Sequence, residues 1–169
     1  MAELGIQKFY DIAQQREFAR DFQFRVVTLG PLGTDDMVYI KTATLPGKEI
    51  TNQAVNYMGL QFNVPGSVKY TGSDGWAVKF HSDEANNIRS KLSAWMTELF
   101  DVNTSSGKYG VPVETATVQL LDKNLAAIRT YELKGIYIVK LGEVSYDIQG
   151  AGAPREFDAT MAYQWWNEV

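Results

Sequence analysis

Residues 72–99 read GSDGWAVKFHSDEANNIRSKLSAWMTEL and combine a turn, a strand and a helix. Trp76, Val78 and Phe80 alternate with polar or small residues, which is the period of a half-buried strand. Farther along, apolar residues recur every three or four positions and predict an amphipathic helix over 83–100. The apolar face of this helix, expected to lie in the core, consists of Ile88, Leu92, Trp95 and Leu99.

The polar residues around this helix suggest how it begins and what its outer face does. Ser82 or Asp83 can act as the N-cap, because its side-chain oxygen can accept a hydrogen bond from a free N–H of the first turn. Asp83 and Glu84 then lie where the helix dipole favours anions. The polar face is expected either to meet a further protein or simply to face solvent, and it consists of Asn87, Arg89, Lys91 and Glu98.

The rest of the chain is dominated by strand-like alternation interrupted by Gly and Pro turns. Further strands are predicted at Phe22–Val26, Met37–Leu45, Ala54–Met58, Leu60–Val64, Val113–Leu121, Ala127–Leu141 (bending near Gly135) and Glu156–Trp166. A short helical arm is expected over about 4–17, and residues 101–112 are expected to form a loop. The pattern predicts one α+β, mainly β domain over 1–169, a β-sandwich or barrel with one flanking α-helix.

Composition excludes several classes of protein. The 169 residues are 45% hydrophobic and 12% aromatic, so the chain can bury a core and is not disordered. The formal net charge of −4 gives no global basic surface for gripping nucleic acid. With no cysteine, disulfide scaffolds, thiol nucleophiles and thiolate metal sites are excluded. No apolar run approaches the roughly 18 residues of a membrane helix, so no membrane segment is expected.

The residues that carry enzyme chemistry are sparse. The single histidine, His81, is expected to be an ordinary, partly exposed strand residue, because no nucleophile pattern accompanies it. The carboxylate pair Asp35–Asp36 lies beside a turn, and the pair Asp83–Glu84 lies at a helix start. These structural roles account for both pairs without a catalytic function. Gly72–Gly75 lacks the Gly-Lys-Ser/Thr of a phosphate loop. We therefore expect no catalytic, cofactor-binding or metal-binding residues, no cofactor and no enzyme activity.

Several short segments occur in a characteristic order from about Phe18 to Trp166, and this order is more specific than any one of them. They are Phe18–Arg20, Lys41–Gly47, Trp76–Val78, Asp83–Ala85, Arg89, Trp95, Leu133–Gly135, Gly142–Val144, Asp147 and Phe157–Trp165. Their succession resembles the tail tube protein family of contractile-tailed, large myovirus-type bacteriophages. The loop 101–112 and the doubled Trp165–Trp166 depart from the family pattern.

The resemblance implies a structural subunit of a phage tail tube. In this family hexameric rings stack into a hollow conduit for genome delivery, and DNA passes through the lumen without specific binding. The implied partners are further copies of the chain, the tail sheath protein, and baseplate and tail terminator proteins. The implied location is the virion tail, assembled in the host cytoplasm. Four strands from each of six subunits would give roughly 24 strands and a barrel ~37 Å across, which admits a duplex roughly 20 Å wide.

Residues 46–66 form a long segment between strands and carry apolar side chains. Long segments of this kind in compact domains are usually functional, and exposed apolar residues suggest a contact site. In the tail tube protein family, which this chain resembles, such a segment packs against the adjacent ring. The expected inter-ring contact residues are Val55, Tyr57, Met58, Leu60 and Phe62. The alternative is an ordinary internal hairpin that buries these side chains in its own domain.

The last predicted strand has an acidic face, which is expected to line the lumen. Phe157, Ala159, Met161, Tyr163 and Trp165 share the face assigned to the core, whereas Glu156, Asp158, Thr160 and Gln164 share the other. Glu143 and Asp147 are expected to extend the acidic stripe. A basic wall would bind phosphates by counterion release, whereas an acidic wall repels them and lets DNA pass.

Three alternatives remain open from the sequence. The first is the inner tube of a phage-like contractile injection particle that delivers protein. The second is a monomeric β-barrel that binds a small ligand. The third and weakest is a small hydrolase.

Overall fold

The computed structural model describes residues 5–169, in which strands of two open antiparallel sheets enclose one hydrophobic core. The elements in chain order are α1 (Ile6–Gln15), β1 (Phe24–Leu29), a 3₁₀ helix (Thr34–Tyr39), β2 (Ile40–Ala43), β3 (Glu49–Tyr57), β4 (Leu60–Lys69), β5 (Trp76–His81), α2 (Asn87–Leu99), β6 (Phe100–Asp101), β7 (Ser106–Gly107), β8 (Thr115–Leu121), β9 (Ala127–Lys134), β10 (Tyr137–Leu141), β11 (Glu156–Ala162) and β12 (Trp165–Glu168). The predicted mainly β fold with a flanking helix is confirmed.

The two large sheets each contain four strands. The first sheet has the order β1-β8-β9-β12 and the second has the order β10-β11-β5-β2. Two smaller pairs, β3–β4 and β6–β7, stand apart from them. The sheets do not close into a barrel, and within residues 5–169 the outer edges of β1, β12, β10 and β2 have no strand partner. The barrel form of the sequence prediction is therefore not reached within one chain.

Helix α2 supplies one wall of the core. Its residues Ile88, Leu92 and Trp95 are buried, and Leu99 is half-buried against the same cluster. The indole of Trp95 packs directly on Gly30, where a Cβ would lie 2.8 Å from the ring. Gly30 also has a φ of +52°, so glycine is required there for both space and backbone conformation.

Two predicted strands are each split where the chain passes from one sheet to the other. The predicted strand 127–141 divides at Gly135, which has a φ of +66°. The predicted strand 156–166 divides after Ala162, so β11 lies in the second sheet and β12 in the first. The crossing reverses the inward and outward alternation. Trp165 is consequently 45% exposed, and its predicted place in the core is wrong.

Polar side chains set several boundaries that periodicity misplaced. Residues 37–39 form the end of the 3₁₀ helix instead of a strand, and Asp36 accepts a hydrogen bond from the Gly33 N–H at 3.0 Å. Helix α2 begins at Asn87, after Asn86 with a left-handed φ of 58°, and not at residue 83. Asp83 nevertheless accepts a hydrogen bond from the Asn87 N–H at 3.1 Å, so its predicted role at the helix start is met from the preceding turn. The N-terminal arm is helical from Ile6, and its predicted start at residue 4 lies outside the described residues.

Candidate functional site

Within residues 5–169, the hairpin formed by β3 and β4 pairs with no other strand. Its strands meet at a two-residue turn, Met58–Gly59, with φ values of 47° and 82°. Positive φ at both central residues is the type I′ arrangement that matches the twist of a tight hairpin. The second strand continues through Pro65 to Lys69, so the predicted end of this strand at Val64 is wrong. Gly66 lets the strands approach at an irregular pair, since a Cβ there would lie 2.6 Å from the Thr51 Oγ1 atom.

The hairpin has two chemically different faces, because successive side chains of a strand point in opposite directions. The apolar face carries Gln53, Val55, Tyr57, Leu60, Phe62 and Val64. The amide face carries Asn52, Ala54, Asn56, Gln61, Asn63 and Pro65. No charged residue occurs from Ile50 to Val68. The apolar face was predicted from the sequence, whereas the amide face was not.

The five residues proposed for inter-ring contact are exposed at the surface of the hairpin. Val55, Tyr57, Leu60 and Phe62 lie together on the apolar face, and Met58 lies at the turn. Their exposed fractions run from 49% for Phe62 to 88% for Met58. Large exposed apolar patches often mark contact sites, so the inter-ring assignment of these residues stays a prediction.

An aromatic clamp holds the base of the hairpin; it consists of Trp166, Tyr70, Tyr131 and Lys48. The Trp166 Nε1–H donates a hydrogen bond to the Gly47 carbonyl at 3.0 Å. Tyr70 and Tyr131 meet the indole edge-on, with ring centroids 6.3 and 5.6 Å away. The Lys48 Nζ atom lies 5.0 Å from the centre of the same ring. The strand β12 therefore fixes the segments that enter and leave the hairpin.

The proposed lumen residues fall into two groups. Glu156, Asp158 and Thr160 share the outward face of β11, opposite His81, Lys79 and Ala77 of β5. The other three lie outside the strand, Gln164 at the crossing between sheets and Glu143 and Asp147 in the connection between β10 and β11. The Asp147 carboxylate accepts a hydrogen bond from the Gln149 N–H at 2.9 Å. The outward face of β11 is thus interleaved with cations as well as acids.

The carboxylate of Glu156 is paired with a lysine. The Lys41 Nζ atom lies 2.5 Å from Glu156 Oε1, and this hydrogen bond lowers the pKa of Glu156 despite partial desolvation. The stabilisation by this pair is therefore present at neutral pH and is lost as the pH falls through the lowered pKa of Glu156.

We expect a carboxyl NMR titration of Glu156 to have a midpoint below that of an ordinary glutamate. Lys41→Met should move the midpoint up, because it removes the largest cause of the shift. As a control, Lys123→Met removes a lysine that pairs with Glu17 instead, and should leave the midpoint of Glu156 unchanged. An unchanged midpoint in Lys41→Met would contradict the assignment.

The polar face of α2 is less free than the sequence analysis predicted. Arg89 donates to the Gly142 carbonyl and lies over the Phe157 ring. Lys91 Nζ lies 2.6 Å from Asp36 Oδ2. These two side chains brace the helix against its own domain, and Asn87 and Glu98 remain exposed.

Residues 5–169 offer few side chains or helices suited to catalysis, metal binding or crossing a membrane. The His81 side chain is 40% exposed, and its Nδ1 atom lies 3.9 Å from Glu156 Oε1. Within those residues no three His, Asp or Glu side chains come together as metal ligands. None of the helices in that range has the length and apolar character needed to cross a membrane.

Open sheets, unpaired strand edges and a protruding apolar hairpin define a structural subunit that assembles with others. No family model matches the chain. The chain is 25% identical over 153 residues to the tail tube protein gp19 of Enterobacteria phage T4, covering 89% of this chain and 91% of that protein. The tail tube protein gp19 of Enterobacteria phage T6 is 24% identical over the same coverage.

Solved structures share the fold. The tube-terminating cap of the anti-feeding prophage superposes with a TM-score of 0.67 at 13% identity, covering 91% of this chain and 92% of that chain. The sheath–tube complex of the PVC extracellular contractile injection system gives a TM-score of 0.60 at 12% identity, covering 94% and 96%. The resemblance to tail tube proteins is confirmed. The chain is a structural subunit of a tube and a component of the virion tail.

Proposed function

We propose that six copies of the chain form a ring and that rings stack through the β3–β4 hairpin into a hollow conduit for the phage genome. The observation that carries this proposal is the charge-free hairpin, whose apolar face is exposed along its whole length. The subunit catalyses nothing in this proposal. Its other partners are the sheath, baseplate and terminator proteins of the tail.

The unpaired sheet edges support ring closure. An exposed edge presents free N–H and C=O groups to another strand, and a head-to-tail contact between unlike edges closes into a ring when its rotation allows. Each sheet offers four strands, so six subunits supply roughly 24 strands and a bore wide enough for a duplex. The open sheets disfavour the alternative of a monomeric ligand-binding barrel, which needs a closed interior.

The apolar face supports stacking between rings. Fully burying a Leu or Phe side chain stabilises a contact by about 1.5–3 kcal/mol. The predicted contact residues Tyr57, Leu60 and Phe62 would each contribute at every hairpin of a ring. Since hairpins of one ring act together, the summed contact favours long stacks even when a single hairpin binds weakly.

The proposed lumen wall includes the outward face of β11. Glu156, Asp158 and Thr160 would face the axis, and Gln164, Glu143 and Asp147 would extend this wall at its ends. Lys79 and Lys41 reduce its net negative charge, so repulsion of DNA would be gentle at physiological salt, where the Debye length is about 8 Å. A structure of the assembled tube tests this placement, which fails if Glu156 and Asp158 point away from the axis.

A protein-carrying tube is the second candidate function. Its supporting observation is the fold shared with contractile injection systems at TM-scores of 0.60 and above. The sequence relatives over most of the chain are phage tail tube proteins. We therefore place genome passage first.

Two neighbouring residues on opposite faces of the hairpin allow a matched test of stacking. We expect Phe62→Asp to leave the domain folded and to abolish tube growth, because it buries a charge in the proposed contact. Asn63→Asp introduces the same charge on the other face and should still form tubes. Electron microscopy and sedimentation of both variants are the measurements. Normal tubes from Phe62→Asp would overturn the assignment of the apolar face.

A further inference from the structure

The amide face of the hairpin has a composition that differs from the rest of the surface. Asn52, Asn56, Gln61 and Asn63 are all exposed, and within residues 5–169 their side chains make no hydrogen bond to the protein. Charged residues make up 21% of the chain, so nineteen positions would hold about four of them. The positions from Ile50 to Val68 hold none.

The two faces of the hairpin must have different surroundings in a tube. This step rests on the proposed function, in which the apolar face packs against a neighbouring subunit. The amide face, being polar and lacking apolar anchors, then remains in water. Water in a tube lies either outside, beneath the sheath, or inside the bore.

Charge separates these two possibilities. The outward face of the β1-β8-β9-β12 sheet, which is not assigned to the bore, carries ionised side chains such as Glu132 and Lys134 on β9. A surface that contacts proteins or bulk solvent gains solubility from such charges. A surface along which a polyanion slides has the opposite requirement, because each cation that pairs with a phosphate adds affinity through counterion release.

Amide side chains meet that requirement. Asn and Gln offer both donors and acceptors without net charge, so they keep a hydrated surface. Any hydrogen bond they make to a passing phosphate replaces one to water and yields only about 0.5–1.5 kcal/mol. They neither hold the polyanion nor repel it.

We propose that the amide face of the β3–β4 hairpin lines the bore and presents an uncharged, hydrogen-bonding surface to the nucleic acid that passes through it. Each ring contributes six such faces in the proposed assembly. They form a neutral band beside the charged face of β11.

The cysteine-free sequence permits a direct test by site-specific labelling. Asn63→Cys and Asn56→Cys place single thiols on the amide face, and Ser93→Cys places one on the exposed side of α2. Each variant is labelled as free subunits and as assembled tubes. One reagent is N-ethylmaleimide, which is small enough to enter the bore, and the other is a polyethylene-glycol maleimide whose coil is wider than the bore.

We expect N-ethylmaleimide to label both amide-face thiols in tubes at nearly the rate seen in free subunits. The polymer reagent should label them at least about tenfold more slowly in tubes than in free subunits. For Ser93→Cys, assembly should slow the polymer reagent no more than the small one.

Three results would overturn this inference without overturning the proposed function. Unimpeded polymer labelling of Asn63→Cys in tubes places the amide face outside, and exclusion of both reagents places it in a contact between subunits. Failure of both amide-face variants to assemble, while unmodified protein forms tubes, likewise makes the face a contact. If unmodified protein forms no tubes under any condition, the proposed function itself fails, and this inference fails with it.

Discussion

Truncation of Trp95 to alanine is expected to lower the free energy of unfolding by about 3–5 kcal/mol. Trp95 is 5% exposed, and its indole packs directly on Gly30. Removing it leaves a cavity between α2 and the turn after β1. A domain of this size has about 5–15 kcal/mol of stability, so the loss is a large share of the total.

Urea denaturation checks this loss, and the Phe62→Asp background keeps the subunits from assembling during the measurement. Thr97→Ala provides a control on the exposed side of the same helix and should change stability by no more than about 0.5 kcal/mol. A loss below about 1 kcal/mol in Trp95→Ala would show that α2 is not an essential wall of the core.

Replacement of Trp166 by alanine is expected to leave the sandwich folded and to block tube growth by freeing the hairpin. The substitution removes the hydrogen bond to Gly47 and the edge contacts with Tyr70 and Tyr131. We expect a stability loss of roughly 2–3 kcal/mol, below the range for a fully buried Trp. Without the clamp the hairpin samples many orientations, and docking must then overcome that entropy.

The adjacent Trp165 is the matched control, because it is the same residue type but points outward. Trp165→Ala should leave the hydrogen exchange of the hairpin unchanged, whereas Trp166→Ala should accelerate it. Electron microscopy then reports tube growth for both variants. Equal exchange rates in the two variants would refute the role of the clamp.

Local periodicity predicted those parts of the fold that obey a single period. The alternation of Trp76, Val78 and Phe80 gave β5, and the three-four spacing from Ile88 gave the buried face of α2. Periodicity failed at Tyr163 and Gln164, where the chain changes sheets. The inward direction there is set by which sheet the strand joins, and such tertiary pairing has no local period.

The contact face of the hairpin could be predicted only in part, because its sequence pattern fits two different surroundings. An alternating strand such as Val55 to Tyr57 has the same pattern whether its apolar face meets its own core or another subunit. The length of the segment, and its likeness to a family, favoured the second interpretation. The clamp around Trp166 could not be predicted, because Trp166 lies 119 positions after Gly47 and is also far from Tyr70 in the sequence.

The two crossings between the sheets have a mechanical consequence. The crossing from β9 to β10 and the crossing from β11 to β12 each take two residues, and they lie side by side, joined by a hydrogen bond from the Gln164 N–H to the Lys134 carbonyl. At the opposite end of the two sheets, β5 ends and β11 begins. There, residues 5–169 contain no link between the sheets that is comparably short. Under tension the two sheets are held together at the end with the two crossings, and they separate from the other end. Force applied to a subunit should therefore separate the two sheets first near Glu156, and only later near Gly135.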